Sequence, residues 1–249
     1  MQLGAFFITI LFILGAICAS FIGVIAERAY TGQSWKRGRS RCNSCRRELT
    51  GRDLVPILSW LAHRGRCRQC GARVPGLYAL YELVLGGLFA LSYAKYGFGL
   101  PLVLFLITLC ILAFIVIYDL RHTIVPAPAS TAFVIASALF CLAAYPGAYF
   151  LPLLYAAGIA LFFFLLYACS RGRAMGLGDT PVSFGLSLLT GNAALAGFLF
   201  SFWIGGVIGI LILVFRKGGP RMGIEVPFVP FMAAGFLLAL FTQWNPLPF

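Results

Sequence analysis

Apolar runs long enough to cross a bilayer recur from one end of the 249-residue chain to the other. They fall at about 3–26, 78–94, 101–118, 129–145, 150–168, 193–215 and 227–242, and each is rich in Leu, Phe, Ile, Ala and Gly. A helix needs roughly 20 such residues per crossing. Inside lipid only helices or closed barrels satisfy the backbone polar groups. With 61% hydrophobic and 10% charged residues, the composition excludes an ordinary soluble domain.

Charge placement adds an eighth crossing. Arg171 and Arg173 precede two apolar stretches, and Arg216, Lys217 and Arg221 follow them. If both clusters face one side, the chain between them crosses twice, with its turn at Gly191–Asn192. The expected fold is therefore an all-α polytopic membrane protein of about eight transmembrane helices. Twelve basic residues, from Arg28 to Arg73, share the first loop; Arg121 and the later clusters fall on the same side, and Lys95 alone falls opposite. Lys and Arg accumulate in cytosolic loops, so that loop is expected in the cytosol and both termini outside. The first run has no basic residue before it and many after it, the reverse of a cleaved signal, and reads as a permanent anchor.

The net charge of +12 is then mainly a topology signal. It also suits contact with anionic headgroups of membrane lipids. The basic loop has few aromatic residues, which argues against a nucleic-acid partner. Three segments result: 1–27 as the first transmembrane helix, 28–76 as a cytosolic loop, and 77–249 as a transmembrane core.

Of eight cysteines, Cys18, Cys110, Cys141 and Cys169 sit singly in apolar runs and read as small buried hydrophobes. The others form two C-x-x-C knuckles, Cys42-Asn43-Ser44-Cys45 and Cys67-Arg68-Gln69-Cys70. Two knuckles at this spacing present four thiolates to one tetrahedral metal, and neighbouring arginines favour the thiolate. Structural zinc fits best, with iron as another occupant and disulfides or a redox pair as the metal-free alternatives. A reducing cytosol disfavours disulfides. His63 is near but surplus to four ligands. Residues Asp53 to Leu61 are apolar enough to lie at the membrane interface, which makes the loop a compact lid.

The chain has only seven acids: Glu27, Glu48, Asp53, Glu82, Asp119, Asp179 and Glu225. Ionisable groups in spans are costly and usually functional. Asp119 ends the third span and Asp179 follows Gly176-Leu177-Gly178, so both are expected just inside the cytosolic face. Two carboxyl groups at one depth on different spans suit aspartyl proteolysis, in which one holds a proton while the other activates water. Gly176 and Gly178 allow close approach to the backbone. Other readings remain open. Asp179 also suits a helix N-cap with Pro181 in the first turn, Asp119 beside Arg121 and His122 suits a plain interfacial charge, and Glu82 suits either a structural partner or the substrate path.

Taken together and in this order, the motifs resemble the type IV prepilin peptidase family of membrane aspartyl peptidases, over nearly the whole chain. Ala19-Ser20-Phe21-Ile22 with Arg28 is similar to the family's first span, and the paired knuckles with Asp53-Leu54-Val55-Pro56 and Leu58-Ser59-Trp60 to its zinc domain. Tyr81-Glu82-Leu83, Asp119 with Ile124-Val125-Pro126, Gly176-Leu177-Gly178-Asp179 and Pro227-Phe228-Val229-Pro230-Phe231 follow in turn. Three positions depart from the family's pattern: Pro181 where a lysine is usual, Ala127 where an acid is common, and Val229 where glycine is expected.

The resemblance implies Asp119 and Asp179 as catalytic residues in a bacterial inner membrane, with the active site facing the cytosol. It implies prepilin or pseudopilin substrates whose short basic leader is removed before a hydrophobic helix. Many relatives also methylate the new N-terminus with S-adenosylmethionine, although no Gly-rich cofactor loop is legible here. A transporter component or a zinc-containing membrane scaffold are the alternatives from other classes.

Overall fold

The computed structural model describes residues 2–32, 34, 38–173, 175–215 and 226–244. Lys36, Arg37, Arg216, Lys217, Arg221 and Glu225 lie outside the described residues. Nine α-helices are present among them: α1 (Gln2–Thr31), α2 (Leu58–Ala62), α3 (Leu77–Tyr96), α4 (Leu100–His122), α5 (Ala127–Ala144), α6 (Phe150–Ser170), α7 (Asp179–Thr190), α8 (Ala194–Phe215) and α9 (Val229–Thr242). The described residues form no strand, only two isolated bridges. The protein is thus an all-α, multi-pass membrane protein.

Six stretches are long and apolar enough to cross a membrane: α1, α3, α4, α5, α6 and the run Asp179–Phe215 that holds α7 and α8. Two members of the expected eight are short. With 12 and 14 residues, α7 and α9 reach only about 18 and 21 Å at 1.5 Å per residue, less than the roughly 30 Å hydrocarbon core. The chain divides into two compact units, Met1–Leu102 and Val103–Phe249.

In the first unit α1 and α3 pack antiparallel, Phe7 meeting Tyr93 while Gly15 meets Gly86. A Cβ on Gly15 would lie 2.8 Å from the Leu85 carbonyl oxygen, and one on Gly86 equally close to that of Phe12. Hydrophobic force adds little between helices in lipid, so this glycine contact lets the backbones approach and gain dispersion energy. Between the two helices comes the cysteine loop, with a 3-10 turn at Gly51–Leu54 and the single-turn helix α2.

In the second unit α7 is central: nine of its twelve residues are buried. It runs parallel to α5, since Gly185 packs on Phe133, Leu188 on Cys141 and Gly191 on Tyr145. Three of its four hydroxyls are satisfied within the helix, Ser183 donating to the Thr180 carbonyl, Ser187 to that of Ser183 and Thr190 to that of Leu186, while Thr180 Oγ1 is buried with no partner among the described residues. The chain then reverses where expected. Gly191 closes α7 with φ of +63°, and a 3-10 turn over Gly191–Ala193 leads into α8. The return path follows from the pairing of α8 with α9: Gly197 against Phe236, Ser201 against Gly235, Gly205 against Phe231. These pairs run antiparallel, so the start of α9 lies at the level of Gly205, well along α8.

Candidate active site and metal centre

Asp119 lies in the last turns of α4 and Asp179 at the first position of α7. Both are buried, at 4% and 8% exposure, deep for residues whose type is almost never enclosed without a partner. Asp119 lies near enough for its charge to act on Asp179. The backbone N–H of Val229, opening α9, donates to the Asp119 carboxylate. The other Asp119 oxygen, Oδ2, has no partner among the described residues. The Asp179 carboxylate accepts from the Gly176 N–H.

The alternative helix-start reading of Asp179 is off by one residue. Gly178 is the N-cap, and Asp179 is the first helical residue. Pro181 therefore occupies the third helical position, where the N–H has no intrahelical partner and its loss costs no bond. That accommodates the first departure from the motif. Val229 is accommodated too, because the contact with Asp119 uses its main chain.

The two glycines of the motif do different things. Gly178 lies against the loop between α4 and α5, and a Cβ there would sit 2.6 Å from the Cβ of Val125. Only a hydrogen fits, so Gly178 and Val125 together set the approach of the Asp179 segment to the segment after Asp119. Gly176 has room for a Cβ, the nearest outside atom being Asp179 Oδ2 at 3.7 Å, and serves through its N–H. We expect Gly178→Ala to cost about 1–3 kcal/mol by overpacking and to lower activity, with Val125→Gly on top, which removes the opposing Cβ, restoring part of both; thermal melts and activity in detergent check this. The Val125 contact and the Val229 N–H are the parts of the site that residue chemistry alone did not single out. Their signal was present, since both fall inside the motif segments Ile124–Pro126 and Pro227–Phe231.

In the first unit the two knuckles are built alike. In one, the Arg46 N–H donates to the Cys42 carbonyl and Cys42 N–H to the Arg47 carbonyl; in the other Gly71 and Ala72 repeat this with Cys67. Arg46 and Gly71 both take positive φ. The four Sγ atoms of Cys42, Cys45, Cys67 and Cys70 lie within 4.8 Å of one another, Cys42 and Cys70 at 3.9 Å. A tetrahedral zinc with bonds of about 2.3 Å would hold its sulfurs about 3.8 Å apart, so the donor set fits that ion.

The thiols are prepared for it. The N–H groups of Cys70 and then Gln69 hold the Cys67 thiol down to about 6, and those of Cys45 and Ser44 lower Cys42. Cys70 is drawn down by the Ala72 N–H yet ends near 11, because desolvation and the three neighbouring thiols oppose its charge. Four such groups ionise together only around a cation.

His63 stands apart from the cluster, with Nε2 at 3.8 Å from Asp53 Oδ1. Asp53 also accepts from the Thr50 N–H and hydroxyl and from Arg47, at 2.8–3.0 Å. The Thr50 N–H first, with its hydroxyl and the Arg47 guanidinium, holds the Asp53 carboxyl below its ordinary value against desolvation. The stability this contributes is present above the ordinary carboxylate pKa and is lost as pH falls through the lowered one. Glu82 is buried and accepts the Ile57 N–H at 2.6 Å. It thereby fastens the loop to α3 at a β-branched residue with φ of +61°, a conformation such residues rarely adopt.

Fold and sites define a helical multi-pass membrane protein with a buried carboxyl pair and a separate tetra-cysteine loop. Comparison with known proteins narrows this. Residues 13–96 match the family described as Bacterial Peptidase A24 N-terminal domain. A prepilin leader peptidase/N-methyltransferase of Bacillus subtilis is 32% identical, over 93% of this chain and 93% of its own. One of Myxococcus xanthus is 34% identical over 88% of this chain and 67% of its own. A type 4 prepilin-like proteins leader peptide-processing enzyme of Escherichia coli is 28% identical over 82% and 76%. No solved structure matches. The chain belongs to the prepilin leader peptidase/N-methyltransferase family.

Proposed function

We propose that this chain is an aspartyl endopeptidase of a bacterial inner membrane that removes the short leader of prepilins or pseudopilins at the cytosolic face. Asp119 and Asp179 are the catalytic pair. The observation that carries the proposal is two buried carboxyl groups, on α4 and α7, within each other's electrostatic reach.

At this spacing like charges do not both ionise readily, so the pair shares one proton. The ionised member takes a proton from water as the water attacks the scissile carbonyl carbon. The protonated member donates to the carbonyl oxygen, and the pair then returns a proton to the leaving amine. Asp119 Oδ2, which no described protein group engages, is the atom we assign to the water. The Val229 and Gly176 N–H groups orient the two carboxyl groups.

Cys42, Cys45, Cys67 and Cys70 are proposed as ligands of a structural zinc. A closed four-thiolate shell leaves no open position for chemistry, so the ion would supply folding energy to the loop. The double name of the relatives favours a second activity, methylation of the new N-terminal amine with S-adenosylmethionine as donor.

The test is to incubate membranes carrying the chain with a prepilin and follow leader loss across pH. A shared proton gives a bell-shaped profile; an uncut substrate, or a profile flat on both limbs, would sink the mechanism. Mass spectrometry of the product N-terminus, with labelled S-adenosylmethionine present, separates peptidase from methyltransferase: an unlabelled free amine counts against the second activity alone.

A further inference from the structure

The two cysteine knuckles share one backbone plan, and they differ in a single electrostatic respect. Each is flanked by an antiparallel bridge, Arg41 with Glu48 in the first and Arg66 with Arg73 in the second. The hydrogen bonds run between the residues on either side of each bridge: Cys42 N–H to Arg47 and Leu49 N–H to Ser40, then Cys67 N–H to Ala72 and Val74 N–H to Gly65. Both are therefore non-hydrogen-bonded pairs, the arrangement that brings facing side chains closest, with Cβ atoms about 4.5–5.5 Å apart.

In the first knuckle that closeness is used for an ion pair, Arg41 to Glu48 at 2.9 Å. In the second it sets two arginines directly opposite one another, a like-charge pairing that is destabilising by itself. No ion pair among the described residues includes Arg66 or Arg73. The double negative charge of a zinc tetrathiolate does not account for the difference, since it faces both knuckles equally.

Arg66 and Arg73 line a cavity of about 890 Å³, whose wall holds eight arginines against three carboxylates. Two of those carboxylates are already engaged, Asp53 with Arg47 of the same wall and Glu82 with the Ile57 N–H. Arg46 and Arg68 add further donors. Besides the loop, the wall includes the last turns of α1 and the first of α3, so the cavity sits where these two membrane-length helices end together. Leu58, Leu61 and Leu77 are exposed in the same unit, at 54–64%, and Leu54 and Val74 join the cavity wall itself. Apolar side chains beside a pocket rich in arginine, at the level where hydrocarbon gives way to headgroups, are complementary to a lipid with a negative head.

We propose that the Arg66–Arg73 pair clamps the phosphate of an anionic phospholipid headgroup, whose acyl chains lie against the exposed leucines. Guanidinium forks match phosphate oxygens bidentately, and the bound anion takes the place that Glu48 fills in the first knuckle. The proposal is independent of the peptidase reading.

The test uses the purified full-length, zinc-loaded chain in neutral detergent, and follows Tm as short-chain phosphatidylglycerol is added. Short-chain phosphatidylcholine and inorganic phosphate are the comparison arms. Phosphatidylglycerol is expected to raise Tm to saturation, and the other two to leave it unchanged. Arg73→Glu rebuilds the pairing of the first knuckle, so it should fold at least as stably as wild type while losing the response to phosphatidylglycerol. Arg66→Gln removes one arm of the clamp without adding a charge, and should lose the response too. An undiminished response in both variants, or an equal one to phosphatidylcholine, would overturn the clamp. An equal shift with inorganic phosphate would overturn the lipid assignment in favour of a free-anion site.

Discussion

If the two carboxyl groups are the catalytic pair, Asp119→Asn and Asp179→Asn are each expected to lower the cleavage rate of a prepilin by about 10³-fold, within the 10²–10⁴ that a positioned acid or base supplies. Asn keeps the shape and a hydrogen-bonding oxygen, so the Val229 and Gly176 N–H contacts persist and the helices repack little. What it cannot do is exchange a proton. On the proposed mechanism each carboxyl group needs the other, so the double variant should be no slower than either single one. The measurement is cleavage in membranes at matched expression, with zinc content and melting temperature as checks on folding. A single variant that stays within tenfold of wild type would show that the two acids do not act as a pair, and would return attention to a transport or scaffold role.

Metal removal has the second largest expected effect, and it acts on a different part of the chain. Neither the 3-10 turn Gly51–Leu54 nor α2 contains a buried residue, so the loop has no apolar core of its own to hold it. Structural zinc sites contribute on the order of 10 kcal/mol to folding. We expect one zinc per chain, released by chelation or by Cys67→Ser. Hydrogen exchange should then rise sharply across residues 40–75 and stay unchanged in α5–α9. Wild-type protein without metal, or a loop whose protection survives chelation, would show that the cysteines serve another purpose.

The Arg47–Asp53–Thr50 contacts and the Glu82–Ile57 bond would not rescue the chelated loop. A net hydrogen bond contributes about 1 kcal/mol, somewhat more when one partner is charged. Unfolding the loop gains conformational entropy of roughly 1–2 kcal/mol per residue. These bonds fix the loop's register against α3; they would not replace a metal held by four of its residues at once.

Much of this protein is legible from local pattern. Apolar length and the asymmetry of basic residues set the helical class and the reversal at Gly191, because lipid imposes the same demand on every segment, but not the number of membrane-length stretches, which among the described residues is six rather than the eight expected. The paired C-x-x-C spacing set the cluster of four thiols that could hold a metal, because two knuckles already fix where their sulfurs point. Motif order was enough to single out Asp119 and Asp179. What pattern could not supply is every relation between distant segments. The burial of both carboxyl groups, the Val229 N–H on Asp119, the steric fit of Gly178 to Val125 and the anchoring of Ile57 by Glu82 each depend on which helix packs beside which. The same holds for the facing arginines at 66 and 73, whose pairing needs a backbone bridge that a list of basic residues does not reveal. Periodicity reports how each segment meets its solvent, whereas these contacts arise from side-chain shape at helix crossings and loop turns, and only the packed structure brings those surfaces together.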